Sequence, residues 1–167
     1  MAMEEIVINM SEMAVGSGRA LIRTMSLGSC VAIVIYDQTI KVGGMAHAML
    51  PSQNNKPADV IEEARSNICG DELTAKYADQ AVIRLVAELE KMEGRRENFK
   101  AKIIGGAKMF RILSGDNKGI GFRNVEAARK QLEILNIPIE GEDVGGCVGR
   151  SAEFSIESGL VLITTVI

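Results

Sequence analysis

Two apolar runs set the hydropathy pattern of the chain. Val31-Ala32-Ile33-Val34-Ile35-Tyr36 is continuous and mostly β-branched, the pattern of a strand covered on both faces. After a polar turn at Asp37-Gln38, residues 39–50 form a second run, with Gly43-Gly44 in its middle and Pro51 at its end. A glycine pair inside a strand predicts a bulge or the close approach of another backbone. Together the two runs predict an antiparallel hairpin. Upstream, residues 4–9 and 20–24 predict short strands, with 11–18 as a turn-rich connection. Downstream the period becomes helical. Ala78, Val82, Leu85, Val86 and Leu89 make one apolar stripe within residues 74–92, with Lys76-Tyr77-Ala78-Asp79 in the first turns and Gly94 as the stop. Val125, Ala128, Leu132 and Leu135 predict a second helix over 125–135, with Asn124 as its N-cap and Asn136 and Pro138 ending it. Residues 99–104 and 137–144 read as strands, and 150–156 with 160–167 as a terminal hairpin around Glu157-Ser158-Gly159. Residues 52–71, polar and broken by Pro57, predict a surface loop with a short helix over 58–69; 114–121 predict another loop, and Met109-Phe110 inward packing.

Seven or eight strands and two helices without regular βαβ alternation predict an α+β domain. Its sheets pack on each other in a sandwich-like core, with the helices on the outside. A length of 167 residues suits a single domain spanning 1–167. Aromatic residues are 4% of the chain and tryptophan is absent, so the core is expected to be aliphatic, filled in part by nine methionines. A net charge of −3 carries no electrostatic footprint for nucleic acid and no attraction to an anionic membrane. No apolar run approaches the roughly 20 residues of a membrane span, and Glu4-Glu5 argue against a signal peptide. No membrane insertion is expected. The three cysteines, Cys30, Cys69 and Cys147, are odd in number and lack C-x-x-C spacing; a zinc site would need all of them plus His47, the single histidine. The reading is a reduced, cytoplasmic protein with a free thiol.

The candidate chemistry sits on the hairpin. Cys30 enters its first strand and His47 leaves its second, so both lie at the same end. A free thiol has a pKa of about 8.5; a neighbouring imidazole takes its proton and holds a thiolate–imidazolium pair, the form a cysteine nucleophile requires. Leu27-Gly28-Ser29 provides a sharp turn whose backbone N–H groups suit an oxyanion, and Thr24 is a candidate to orient the imidazole. Spacing alone leaves a second reading open, since buried cysteines are usually inert and a lone histidine is more often structural. Gly105-Gly106-Ala107 suggests phosphate binding, yet the chain lacks both G-x-x-x-x-G-K-[ST] and G-x-G-x-x-G.

Thr24-x-x-Leu27-Gly28-Ser29-Cys30-Val31-Ala32, followed by Gly43-x-Met45-Ala46-His47-x-Met49-Leu50-Pro51, closely resembles the chemoreceptor glutamine deamidase family, CheD, of bacterial and archaeal chemotaxis. The resemblance continues through Lys76-Tyr77-Ala78-Asp79, Ile104-Gly105-Gly106-Ala107-x-Met109-Phe110, Gly121-x-Arg123-Asn124-Val125 and Glu142-Asp143-x-Gly145-Gly146. It implies Cys30, His47 and Thr24 as catalytic residues, with Gly28, Ser29, Gly105 and Gly106 bordering the substrate cleft. It also implies a fold like that of a bacterial toxin that deamidates a glutamine in host GTPases. The implied activity is hydrolysis of receptor glutamine side chains to glutamate with release of ammonia, without a cofactor. A glutamyl methyl ester would suit the same machinery. The implied partners are methyl-accepting chemotaxis receptors, as substrates, and a CheC-type phosphatase. The alternative is a non-catalytic binding module for that phosphatase or for the receptor array. The resemblance assigns no chemistry to Cys69 or Cys147.

Overall fold

The structure is a computed structural model that describes residues 3–53, 75–109 and 118–166. The helix expected over 58–69, Cys69 and Phe110 lie outside the described residues, as do residues 114–117 of the loop expected at 114–121. Strands β1 (Glu5–Ile8), β3 (Leu21–Leu27), β8 (Gly149–Ser155) and β9 (Val161–Val166) form one sheet, in the order β1-β3-β8-β9. Strands β2 (Met13–Ser17), β5 (Val42–Ala48), β4 (Val31–Asp37), β6 (Lys100–Gly105) and β7 (Ile139–Val144) form the other, in that order. Each sheet is mixed: β1 pairs parallel with β3 and β6 with β7, while the remaining pairs are antiparallel. Helices α1 (Ala78–Lys91) and α2 (Ile120–Ile134) lie on the five-stranded sheet. The architecture is α+β, with three layers: the smaller sheet, the larger sheet and the helix pair.

The larger sheet is the middle layer, and this explains the unbroken apolar run of β4. Val31, Ile33 and Ile35 face the helices, packing with Val82, Leu85, Leu89 and Leu132. Ala32, Val34 and Tyr36 face the smaller sheet, packing with Ile22, Phe154 and Met45. Every residue of β4 is buried, as both faces require.

Residues 11–18, expected as a connection, instead supply β2, an edge strand paired with β5 from Met13↔Ala46 to Ser17↔Val42. In the neighbouring β5, the glycine pair marks close packing. A Cβ on Gly44 would lie 2.8 Å from Val15 Cγ1 and 2.9 Å from Leu85, and one on Gly43 would lie 2.9 Å from the Phe154 ring. The register of β5 against β4 runs through both glycines without a bulge, so close approach is the reason for the pair.

The helix ends also differ from expectation. Lys76 and Tyr77 precede α1: Tyr77 is extended, and the Lys76 carbonyl accepts the N–H groups of Met49 (2.9 Å) and Leu50 (3.0 Å). That strap fixes the chain where it leaves β5. At the other end Glu93 takes the left-handed conformation (φ 68°), and the Gly94 N–H bonds the Leu89 carbonyl at 2.9 Å. Asn136 does the same for α2 (φ 55°), with Ile137 N–H to Leu132 O at 2.9 Å. Helix α2 begins five residues earlier than expected, because Gly121 lets its first turn sit against the loop after β6. A Cβ there would lie 2.5 Å from the Ala107 carbonyl oxygen and 2.6 Å from that of Gly106. Asn124 is therefore inside the helix and caps nothing. Met109 is 47% exposed rather than packed inward.

Candidate active site

Thr24, Cys30 and His47 come from three consecutive strands or their entrances. All three face the layer between the two sheets. The β4–β5 register places His47 directly opposite Ala32. Cys30 lies two residues before Ala32, on the same side of the alternation and diagonal to His47. Beyond Thr24, β3 carries one extra residue against β8, between the pairs Thr24↔Ala152 and Leu27↔Arg150, and Ser26 is left-handed (φ 61°). This bulge bends the chain from the strand into Gly28-Ser29-Cys30.

His47 is fully buried, and its main chain is tied to residues before β2: its N–H bonds the Glu12 carbonyl and its carbonyl accepts the Ser11 N–H, both at 2.9 Å. Its Nδ1 lies 2.7 Å from Thr24 Oγ1, which is 3.0 Å from the Ile8 carbonyl oxygen. These contacts decide the tautomer. The carbonyl can only accept, so the single hydroxyl proton of Thr24 goes to Ile8. The hydroxyl oxygen then accepts the proton on Nδ1. Nε2 is left as a bare lone pair, buried and without a partner among the described residues. An unpaired buried acceptor is costly unless chemistry uses it. Burial pulls the His47 pKa down, opposed by the negative charge of Glu12. Burial pushes the Cys30 thiol up, opposed by its own backbone N–H. Burial of the two groups works in the same direction, toward the neutral thiol and the neutral imidazole.

Ser29 also borders a cavity of about 440 Å³ whose wall includes Met109, Ile120, Phe122, Val125 and Gly106. A family model described as CheD chemotactic sensory transduction matches residues 49–165. The chain belongs to the CheD family. The probable chemoreceptor glutamine deamidase CheD of Geobacillus kaustophilus is 44% identical, over 97% of this chain and 93% of that protein. The chemoreceptor glutamine deamidase CheD of Halalkalibacterium halodurans is 42% identical, over 98% of this chain and 96% of its own length. That of Thermotoga maritima is 43% identical, over 96% and 91%. A solved structure, the Bacillus licheniformis hypothetical protein YfiH, superposes loosely, with a TM-score of 0.46 at 14% identity over 81% of this chain and 51% of that one.

In this CheD chain the loop after β6 supports Cys30 from behind. The Gly106 N–H bonds the Cys30 carbonyl and the Ala107 N–H the Gly28 carbonyl, both at 2.8 Å. The Gly106 N–H is thus engaged with the protein itself, while Gly106 also lines the cavity beside Ser29. Gly105 (φ 109°) lies so close to the Cys30 carbonyl oxygen that a Cβ would collide with it. Gly105→Ala is expected to destabilise the fold by at least about 2 kcal/mol, from strain at positive φ alone, measured by urea unfolding. Cys147, like Cys30, is a free thiol, and it is exposed.

Sequence reasoning missed Asn124. It is fully buried, and its Nδ2 donates to the carbonyls of Ser29 and Met49, each at 2.9 Å. The family block around it was visible, but an asparagine before an apolar stripe reads as a cap. The glycines at 119 and 121 hid the helix turn that precedes it.

Proposed function

We propose that this protein is a chemoreceptor glutamine deamidase in which Cys30 is the nucleophile, His47 the proton carrier and Thr24 the group that fixes the imidazole. The observation that carries the reading is the 2.7 Å Thr24–His47 contact, which leaves His47 Nε2 unprotonated in the layer Cys30 faces. As Cys30 Sγ attacks the carboxamide carbon of a receptor glutamine, Nε2 takes the thiol proton. The carbonyl electrons move to oxygen, where the backbone N–H groups of Ser29 and Cys30 stabilise the charge, that of Gly28 being bonded to the Ser26 carbonyl at 3.2 Å. Collapse of this intermediate breaks the C–N bond, and the imidazolium proton leaves with the nitrogen as ammonia. His47 then deprotonates a water that attacks the thioester. The C–S bond breaks, the thiolate regains its proton, and glutamate remains. A glutamyl methyl ester would follow the same path, with methanol leaving.

Neutral resting groups suit this sequence, since proton transfer and attack occur together. Glu12 favours the imidazolium once it forms. The apolar wall of the cavity beside Ser29 would receive aliphatic surface of the receptor helix around the target glutamine. A CheC-type phosphatase would compete at this same face.

The test is mass spectrometry of a chemoreceptor cytoplasmic fragment incubated with the protein. Glutamine-to-glutamate conversion is expected. Intact glutamines in receptors from the same organism would sink the enzyme reading and leave the binding role. Thr24→Val should lower kcat about 10–100-fold, the scale found when the partner that orients a metal-bound imidazole is removed. Thr24→Ser, which keeps the hydroxyl, should recover most of it.

A further inference from the structure

Helix α2 reaches the catalytic turn through the Asn124 side chain. Its first turn is seated on the loop after β6 by Gly121, and one turn later Asn124 projects between the two chain segments that flank the hairpin mouth. Ser29 precedes Cys30, and Met49 follows β5 two residues after His47. Both partners of the Asn124 amide are carbonyl oxygens, which only accept, so its two N–H bonds are fully committed and its orientation is fixed. The other end of the amide, Oδ1, is buried without a partner among the described residues. A residue kept only for packing would carry no such burden.

We propose that Asn124 is a positioning residue of the active site. By holding the Ser29 carbonyl it sets the plane of the Ser29–Cys30 peptide and so the direction of the Cys30 N–H, and by holding the Met49 carbonyl it fixes the distance between Cys30 and His47. The proposal rests on the deamidase reading above. In a trans peptide the carbonyl and N–H point opposite ways. Pulling the Ser29 oxygen toward α2 therefore turns the Cys30 N–H away from the helix. That N–H interacts with the Cys30 sulfur and favours its thiolate. The carbon under attack bonds that sulfur, so the same N–H lies where the oxyanion develops. A donor bonded at the far end of the same amide is also polarised and strengthened.

Asn124→Leu keeps the volume and removes both donors; Asn124→Ser keeps one donor on a shorter stem. In the leucine variant kcat per folded molecule should fall about a hundredfold, the scale of a lost oxyanion donor, with KM for the receptor fragment unchanged. The serine variant should fall less. The pH midpoint for alkylation of Cys30 by iodoacetamide should rise in both, because the N–H is no longer aimed at the thiolate. A purely structural role gives lower thermal stability with kcat per folded molecule and the alkylation midpoint unmoved, and that result overturns the proposal. On the unaltered protein, NMR should detect coupling across the hydrogen bond from Asn124 Nδ2 to the Ser29 carbonyl carbon. Its absence overturns the proposal whether or not the variants fold. Alkylation and NMR need no receptor, so failure of the deamidase reading shows separately, as intact receptor glutamines with unaltered protein.

Discussion

Cys30→Ala is expected to abolish glutamine hydrolysis, with a fall in kcat of about 10⁶-fold, the scale seen when a hydrolase loses its nucleophile. No other described group supplies a thiol in this layer, since Cys147 is exposed on the turn between β7 and β8. The fold should persist. Cys30 is half-buried at the edge of the inter-sheet core, and loss of its sulfur should cost no more than about 1 kcal/mol by thermal unfolding. Chemical modification provides an independent arm. Iodoacetamide should reach the exposed Cys147 first and leave the rate intact. Activity should then decline in step with alkylation of Cys30, followed by peptide mass spectrometry. Loss of activity that tracks Cys147, or turnover by the alanine variant, would remove the nucleophile from the mechanism.

The hairpin that carries this chemistry was legible because its physical cause lies in the residues themselves. A β-branched run with no polar break demands cover on both faces, and β4 has helices on one side and a sheet on the other. The placement of Cys30 and His47 at one end follows from strand length and one turn. Thr24 was harder, because its meeting with His47 depends on packing one sheet against another. Its hydroxyl made it a candidate, and the motif resemblance made it an expected catalytic residue. What stayed hidden shares a feature: each is a contact between segments distant in sequence that happens to use residues with a strong local meaning. Gly16 signals a turn, yet it lies inside β2, packed close to Ala20 and Ile156. Asn124 signals a cap, yet it reaches back 95 positions to Ser29. Gly106 signals a free anion-binding backbone, yet its N–H holds the Cys30 carbonyl. Local rules describe what a residue permits, and the tertiary partner decides which permission is used.

His47→Gln is the second large effect, and its signature lies in the pH dependence. The proposed mechanism starts from a neutral thiol–imidazole pair. Burial holds the His47 pKa below the usual 6.5 or so, and holds the Cys30 thiol above its usual range. Activity needs one proton on the pair. It is lost on the acid side only as the imidazole gains a second proton, and on the alkaline side only as the pair gives up its last one. The rate should therefore be flat across neutral pH, with an acid limb below pH 6.5 and an alkaline limb above the ordinary thiol range; these limbs belong to the coupled pair. Glutamine fills a similar volume but has no group that titrates in this range. At neutral pH kcat should fall about 10³–10⁴-fold, the upper range for a group serving as both base and acid. The residual rate then depends on spontaneous thiolate. Below the raised thiol pKa that fraction grows tenfold per pH unit, so the variant's rate should climb with pH where the unaltered rate is flat, and the deficit should narrow. The acid limb should vanish with the imidazole. Stability carries the same sign. A histidine whose folded pKa is depressed lends stability above its unfolded pKa and withdraws it as pH falls, so the glutamine variant should lose less stability between pH 7 and 5 than the unaltered chain. Rate–pH profiles and urea unfolding at each pH decide the matter. A variant profile parallel to the unaltered one would mean that His47 holds the fold and moves no proton.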